Sequence, residues 1–521
     1  MNRPTESPNL KRVSLPSAGR SFGGMFILRI ASQLVTLATI IQLSRFLGPD
    51  GFGRYSFLYS GLFLILTLFN VNGLNDILVR DLSANLEERN SIYQNGLALK
   101  LIAGCLAFII AVILILTTDW VNIPKAVACF GALTLFVSFT IGSFRQVWDV
   151  PYQIDFRMIP ASLVNFSGRI LFLVSLIYIQ SYYRMPIWIF NGFNPQITGS
   201  LSKALTAIII IQTLVEITAM TGLGALNRKY HYPMLPKWNP KTIRYLIIES
   251  WPLAVAGGFV MIYSKVNILL LQFFLSERDV GLYAAPMRIA DALVIIPTVF
   301  MASAMPILSV LYKESRQRFD NMVALSFRLM IICSLAAGAI AVFYSKPLME
   351  LLYSAEYSSA APVMAILVGG TLFTFSAILL SGILIVTGEQ KLLMIIYALQ
   401  TVINLGLNIW LIPKFGITGA AVAFIFTYFC IFNLILLWQR VRYFGVTWFK
   451  VLIIPLISAF VAGLSVKLVH FALLPSIIII PVVFITFFWI AGGWKKDDFA
   501  LLKEVMTFNS AAIGEKAVHD E

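Results

Sequence analysis

Fourteen stretches of this chain run for about twenty or more residues with few charges, long enough as helices to cross roughly 30 Å of hydrocarbon. They fall near 22–44, 55–79, 95–117, 122–147, 158–180, 201–226, 245–272, 281–310, 321–345, 360–386, 391–412, 416–438, 450–472 and 474–494. Backbone N–H and C=O groups in lipid must be paired within their own segment, so such runs fold as helices. Barrel strands are excluded, because they alternate in polarity over about ten residues and these runs do not. With 59% hydrophobic and 12% charged residues, and a mean hydropathy of +0.84, the 521-residue chain reads as an all-α integral membrane protein.

Orientation follows from the loops. The Lys and Arg residues outside the apolar runs lie mostly in the two tails and in the alternate loops that share their side. The positive-inside rule places that side, with both termini, in the cytoplasm. This asymmetry accounts for most of the net charge of +14, so a nucleic-acid partner is not needed to explain it. Residues 1–21 are polar and the run after them lacks a small-residue cleavage site, which makes it a retained first helix. The four cysteines, Cys105, Cys129, Cys333 and Cys430, sit in apolar runs without metal-like spacing and are expected to pack as small hydrophobes.

The chain also repeats itself. A shift of 228 residues lays the first three runs on the seventh to ninth, puts Gly53-Arg54-Tyr55 on Gly281-Leu282-Tyr283 and puts Lys100 on Arg328. Later the shift is 220, where Ile197-Thr198-Gly199 meets Ile417-Thr418-Gly419. Six runs per copy is an even number, so both copies have the same topology and an axis along the membrane normal relates them. The expected organisation is a cytoplasmic tail 1–21, a six-helix bundle 22–226, a cytoplasmic linker 227–244, a second bundle 245–438, an extra helix pair 450–494 and a tail 495–521. The linker carries Arg228, Lys229, Lys237 and Lys241 among three prolines. Two such bundles enclose a cleft.

Eight of the 39 basic residues fall inside the apolar runs: Arg29, Lys100, Arg169, Lys203, Lys265, Arg288, Arg328 and Lys467. A cation in hydrocarbon costs at least about 2.5 to 3.5 kcal/mol, so each needs an acid, a route to the interface or a watery cavity. Lys100, Lys203, Arg328 and Lys467 stand within a turn or two of a run's end and are expected to snorkel. Arg29 lies in the inner third of its run, Arg169 near the midplane, and Lys265 and Arg288 toward the outer side. Two acids are placed to serve them. Glu216 lies near the level of Arg169, and Asp291 follows Arg288 at i+3. Pairing them as neutral glue between helices is one reading; a basic substrate path through Arg29, Arg169, Lys265 and Arg288 is the other. Surplus cations at several depths suit a substrate with fixed negative charge, and the planar fork of Arg suits phosphate. Trp148, Tyr263 and Tyr283 lie near the expected cleft, where they could stack on sugar faces, though interfacial belts and packing are the commoner use of aromatics in such runs.

Catalysis finds little support. His231, His470 and His519 form no constellation, no Walker loop or dinucleotide fingerprint is present, and neither a metal nor a cofactor is called for. The expectation is a transporter, not an enzyme, with H+ or Na+ as the coupling ion left undetermined.

Three stretches in order carry a family resemblance: Arg45-Phe46-Leu47-Gly48-Pro49-Asp50-Gly51-Phe52-Gly53-Arg54-Tyr55, then Val280-Gly281-Leu282-Tyr283-Ala284-Ala285-Pro286-Met287-Arg288-Ile289, then Leu411-Ile412-Pro413-Lys414-Phe415-Gly416-Ile417-Thr418-Gly419-Ala420-Ala421. Over about 20–440 this pattern resembles the polysaccharide-exporter and O-antigen flippase branch of the multidrug/oligosaccharidyl-lipid/polysaccharide superfamily. The resemblance implies a two-lobed fold like that of the multidrug and toxic compound extruders. It also implies the flipping of a polyprenyl-pyrophosphate-linked oligosaccharide from the cytoplasmic to the outer leaflet, with glycan polymerase or glycosyltransferase partners. Only Arg288 of the four candidate cations lies inside a matched motif, and Pro286 within it is expected to kink its helix. The competing expectations are an ion-coupled small-molecule antiporter of the same fold, which acid-rich helices would favour, and a peptidoglycan-precursor flippase. A multi-span glycosyl- or acyl-transfer enzyme is the alternative from another class, and a catalytic acid pair or a loop His would favour it.

Overall fold

The computed structural model describes residues 15–68, 73–84, 88–117, 137, 146–155, 158–184, 198–230, 232–439, 441–468 and 473–493. Among these the regular structure is all helical, with no strand. The helices are α1 (Leu15–Leu68), α2 (Leu74–Ala84), α3 (Arg89–Thr117), α4 (Val150–Ile154), α5 (Met158–Arg184), α6 (Thr198–Lys229), α7 (Pro240–Phe274) and α8 (Glu277–Leu293). They continue as α9 (Ile295–Glu314), α10 (Arg316–Leu352), a 3-10 turn (Ala355–Ala360), α11 (Ala361–Gly369), α12 (Thr371–Val386), α13 (Gln390–Leu436), α14 (Tyr443–Leu468) and α15 (Leu473–Ile490). Among the described residues, ten segments are long and apolar enough to cross a membrane. Large apolar side chains such as Val174, Phe273, Val402, Phe460 and Ile478 are exposed on their outer faces, as a hydrocarbon surround requires.

Two pairs of expected runs are merged across bends. Gly48 breaks α1 at φ 67° and Pro49 starts its second half, where the fixed proline φ fits a first helical turn. Gly416 breaks α13 at φ 58°. Only glycine adopts these left-handed angles cheaply, which explains both Gly-containing turn motifs. The run 122–147 lies almost wholly outside the described residues, as do Cys129, the three histidines and the C-terminal tail. Pro286 lies inside α8, whose helical assignment runs unbroken from Glu277 to Leu293. Between the bundles, α6 reaches Lys229 and α7 begins at Pro240, with the Asn239 side chain accepting the Lys241 N–H at 3.1 Å as an N-cap.

The halves meet where the duplicated motifs lie. Gly53 of α1 and Gly281 of α8 face each other so closely that a Cβ on Gly53 would stand 1.7 Å from the Glu277 carbonyl oxygen, and one on Gly281 1.9 Å from that of Pro49. Both pairs of partners are related by the 228-residue shift, so the pseudo-twofold axis passes through this crossing. The same shift separates Arg278 and Asp50, which pair across it at 3.2 Å. Arg54 pairs with Glu277, Arg45 donates to the Leu352 carbonyl at 2.7 Å, and the buried Tyr357 hydroxyl donates to the Ser44 carbonyl at 3.1 Å. An apolar cluster containing Leu43, Leu47, Phe52, Leu282, Met349 and Tyr353 fills the space beneath.

Lys100 and Arg328, expected at the interface, are instead buried, with 2% and 6% exposure. The helices start earlier than the apolar runs do, at Arg89 and Arg316, so each cation stands about three turns inside its helix and cannot reach the end by snorkelling. The side chains of Lys203 and Lys467 lie outside the described residues.

The final pair, α14 and α15, docks on the second half. Trp448 donates from its indole to Ser376 Oγ at 2.9 Å and lies against Phe373 and Phe432. Gly463 meets the Phe343 ring so closely that a Cβ there would stand 2.0 Å from a ring carbon. Gly463→Val is expected to destabilise this docking by about 1–3 kcal/mol through overpacking, visible as a lower midpoint in detergent thermal unfolding.

Candidate functional site

The geometry of the site starts from small residues. Helices α5 and α6 approach closely because Gly168 sits on Ala219 and Gly222 on Val164, each with room for no more than an ordinary 3.4 Å contact if a Cβ were added. Arg169 adjoins the first of these contacts, and Glu216 precedes Ala219 by three residues on α6. Both side chains line a cavity of about 250 Å³ between α1, α5, α6 and α8, whose other polar walls include Tyr55, Tyr59, Gln212 and Arg288. A second cavity of about 330 Å³ adjoins it, lined by Arg29, Ser32, Gln33, Asp149 and Tyr152. Asn165 and Arg169 belong to both walls, so the two spaces meet at Arg169.

Arg169 is held at that junction. Its guanidinium donates to the Ser32 carbonyl at 3.4 Å and to the Thr36 hydroxyl, which bridges α5 to α1. Thr36 in turn donates to the Ser32 carbonyl at 2.8 Å. Asn165, one turn earlier, donates to Asp149 at 3.4 Å. Tyr59 lies within electrostatic reach of Arg169, Glu216 and Arg288 together, which places all three around one point of the larger site.

Lys265 stands apart from the main cavities. It lines a small cleft of about 10 Å³ with Asn267, Tyr283, Arg288 and Asp291, and Arg288 is the residue this cleft shares with the 250 Å³ cavity. Of the four cations singled out in the sequence, the structure therefore brings Arg29, Arg169 and Arg288 onto one continuous path and puts Lys265 behind Arg288. Glu216 joins that path, and Asp291 stays with Lys265. Asp149 is an acid on the wall that the hydropathy argument missed, so three guanidiniums share the two cavities with two carboxylates.

The three aromatics singled out in the sequence are packed side chains. Trp148 is packed in the core of the first half beside Gly224, Tyr283 is fully buried and accepts a hydrogen bond from Asn267 at 3.0 Å, and Tyr263 meets Tyr428 edge-on. Of these three, Tyr283 lines the small cleft beside Lys265. The aromatic walls are instead Phe52, Tyr55, Tyr59 and Phe172 in one cavity and Tyr152 in the other. Their signal was present in the sequence: Phe52, Tyr55 and Tyr59 follow helical spacing along one face, and Gln212 and Glu216 are polar residues at i,i+4 on an otherwise apolar helix.

Among the described residues no group of three or more His, Cys, Asp or Glu is placed to hold a metal ion. What the arrangement can do is bind an elongated ligand between two helical lobes, with guanidiniums spaced along its length. The described residues build a two-lobed, multi-helix membrane protein. The fold matches the lipid II flippase MurJ in an inward closed conformation with a TM-score of 0.70, at 12% identity over 89% of this chain and 97% of that one. It also matches an inward-facing multidrug resistance MATE transporter of the MOP superfamily with a TM-score of 0.63, at 14% identity over 80% and 98%.

The family described as "Polysaccharide biosynthesis protein" matches residues 19–312, and the chain belongs to it. The MatE family matches residues 252–410, within the second half. Relatives include the Staphylococcus aureus capsular polysaccharide biosynthesis protein CapF, 24% identical over 77% of this chain and 94% of that protein. A putative O-antigen transporter of Shigella dysenteriae is 24% identical over 49% and 69%, and a probable low-salt glycan biosynthesis flippase, Agl15 of Haloferax volcanii, is 23% identical over 45% and 49%.

Proposed function

We propose that this protein is a flippase that carries a polyprenyl-pyrophosphate-linked oligosaccharide, a repeat unit of a surface polysaccharide, from the cytoplasmic to the outer leaflet of the inner membrane. The observation that carries this reading is the arginine path: Arg29, Arg169 and Arg288 face adjoining cavities walled mainly by the first half, to which the second half contributes Arg288 and Ile295. Guanidinium groups bind pyrophosphate through paired, charge-assisted hydrogen bonds, and three of them in sequence give an anionic headgroup successive holding points. An isoprenoid tail stays in the bilayer beside the helices while the polar end crosses.

The mechanism is alternating access. With both termini in the cytoplasm, the bend at Gly48 is external, so the Gly53–Gly281 crossing closes the outer end and the cavities lie on the cytoplasmic side of it. Rocking of the halves against each other opens that crossing and delivers the headgroup outward. The membrane potential assists, because moving an anion out of a negative interior gains about 2.3 kcal/mol per charge per 100 mV. The names of the relatives support a glycan cargo, and a basic path disfavours the cationic drugs of a multidrug antiporter. The test is translocation of a labelled lipid-linked oligosaccharide by the purified protein in vesicles.

A further inference from the structure

Beside the arginines the 250 Å³ cavity has a second wall of different chemistry. On the second half of α1, Phe52, Tyr55 and Tyr59 lie along one face with their rings nearly parallel. The Phe52 and Tyr55 centroids are 6.3 Å apart at 17°, and those of Tyr55 and Tyr59 5.8 Å apart at 14°. All three line the cavity, and so does Gln212 of α6, whose side-chain oxygen accepts from the Tyr55 hydroxyl at 3.5 Å and whose side chain also reaches the Tyr59 hydroxyl. Glu216 extends this polar edge by one helical turn. The result is a flat aromatic strip bordered by hydroxyl, amide and carboxylate groups.

That pairing has a chemical counterpart. A pyranose ring offers a C–H face that packs on an aromatic surface and a rim of hydroxyls that donate to amide and carboxylate oxygens. Neither feature has a use for phosphate. The aromatic strip contributes large contact area with little side-chain entropy to lose, and its hydroxyls keep polar partners. A carboxylate in the wall accepts hydroxyl protons and repels a second carboxylate, so it selects against acidic sugars at that position.

We propose that Tyr55, Tyr59, Gln212 and Glu216 form a sugar-reading subsite, separate in chemistry from the arginine path, which accepts a neutral pyranose next to the pyrophosphate and rejects a uronic acid there. This rests on the flippase reading above, in which the lipid-linked glycan brings a sugar and a pyrophosphate into the same cavity.

The experiment measures binding of three probes to the purified full chain: a polyprenyl pyrophosphate without sugar, one bearing a single neutral hexose and one bearing a single hexuronic acid. The wild-type protein is expected to bind the hexose probe about tenfold more tightly than the sugarless one, and the uronic acid probe no more tightly than the sugarless one. In Tyr55→Ala/Tyr59→Ala the ratio between hexose and sugarless probes falls to about one. Tyr55→Phe/Tyr59→Phe, which keeps the rings and their packing, retains part of it. Glu216→Gln relieves the discrimination against the uronic acid. Arg169→Ala weakens binding of every probe while the hexose ratio persists. Equal affinities for hexose and sugarless probes in the wild type, or a tyrosine variant that weakens both alike, overturn the sugar subsite and leave the flippase reading standing. Failure of the wild type to bind any of the three overturns both.

Discussion

Gly281→Val is expected to prevent the closure between the halves. Its Cβ would stand 1.9 Å from the Pro49 carbonyl oxygen, 2.8 Å from the Pro49 carbonyl carbon and 3.0 Å from the Gly53 amide nitrogen. Those are backbone atoms of a helix start, so no rotamer change relieves the clash and the two helices must separate. A penalty of about 3 kcal/mol against the closed state, at the upper end of ordinary overpacking, shifts the equilibrium by more than a hundredfold. Gly53→Val meets the Glu277 carbonyl in the same way and should behave alike. The measurement is cross-linking of Asp50→Cys to Arg278→Cys by a short bis-maleimide, chosen because these side chains pair at 3.2 Å in the closed contact. Cross-linking and transport should both fall at least tenfold in either valine variant. Transport at the wild-type rate with cross-linking intact would mean that the crossing is not a gate. Removing only an ion pair, as in Arg278→Ala, should matter far less, since exposed pairs contribute about 0–1 kcal/mol.

The second large effect is on headgroup binding. Arg169 joins the two cavities, and its loss removes the central holding point of the path. Charge-assisted hydrogen bonds contribute about 1.5–3 kcal/mol, so Arg169→Ala should weaken binding of a sugarless polyprenyl pyrophosphate about 10- to 100-fold. Arg169→Lys should recover only part of this, because an ammonium cannot reproduce the planar fork or keep both contacts to Ser32 and Thr36. The double variant Arg169→Ala/Arg288→Ala should lose more than either single change. Lys265→Ala should have a smaller effect, because Lys265 borders only the small cleft behind Arg288. Unchanged affinity in the double variant, with the protein still folded, would remove the arginines from the substrate path.

Much of this architecture was legible in the sequence, and for a physical reason. Lipid forces backbone pairing into helices, so apolar length reveals the elements, and an internal shift of 228 residues reveals the two copies. The same shift reappears in space in the Gly53–Gly281 crossing and the Asp50–Arg278 pair. The search for cations inside apolar runs also singled out Arg29, Arg169 and Arg288, which line the two adjoining cavities. Lateral position was not legible. Hydropathy says how far along a helix a residue lies but not which neighbour it faces, so Lys265 was counted with the main path and Asp149 was missed. The error over Lys100 and Arg328 has a related origin: the helices continue beyond their apolar runs into polar residues that still pack inside protein. The aromatic wall was hidden because Phe52 and Tyr55 sit in a motif that also builds the turn and the glycine contact, and Tyr59 follows one turn on. Only the fold shows that the opposite face of that helix lines a cavity.

One measurement bears most directly on the account. Purified protein in vesicles is given a labelled lipid-linked oligosaccharide on one face, and its arrival on the other is followed with a membrane-impermeant reagent. Wild-type protein should move the label at least tenfold faster than protein-free vesicles, faster still with the receiving side positive, and Arg169→Ala/Arg288→Ala should return the rate to background. Translocation that is absent in the wild type, or equally fast in the double variant, would contradict an arginine-lined path for a lipid-linked glycan.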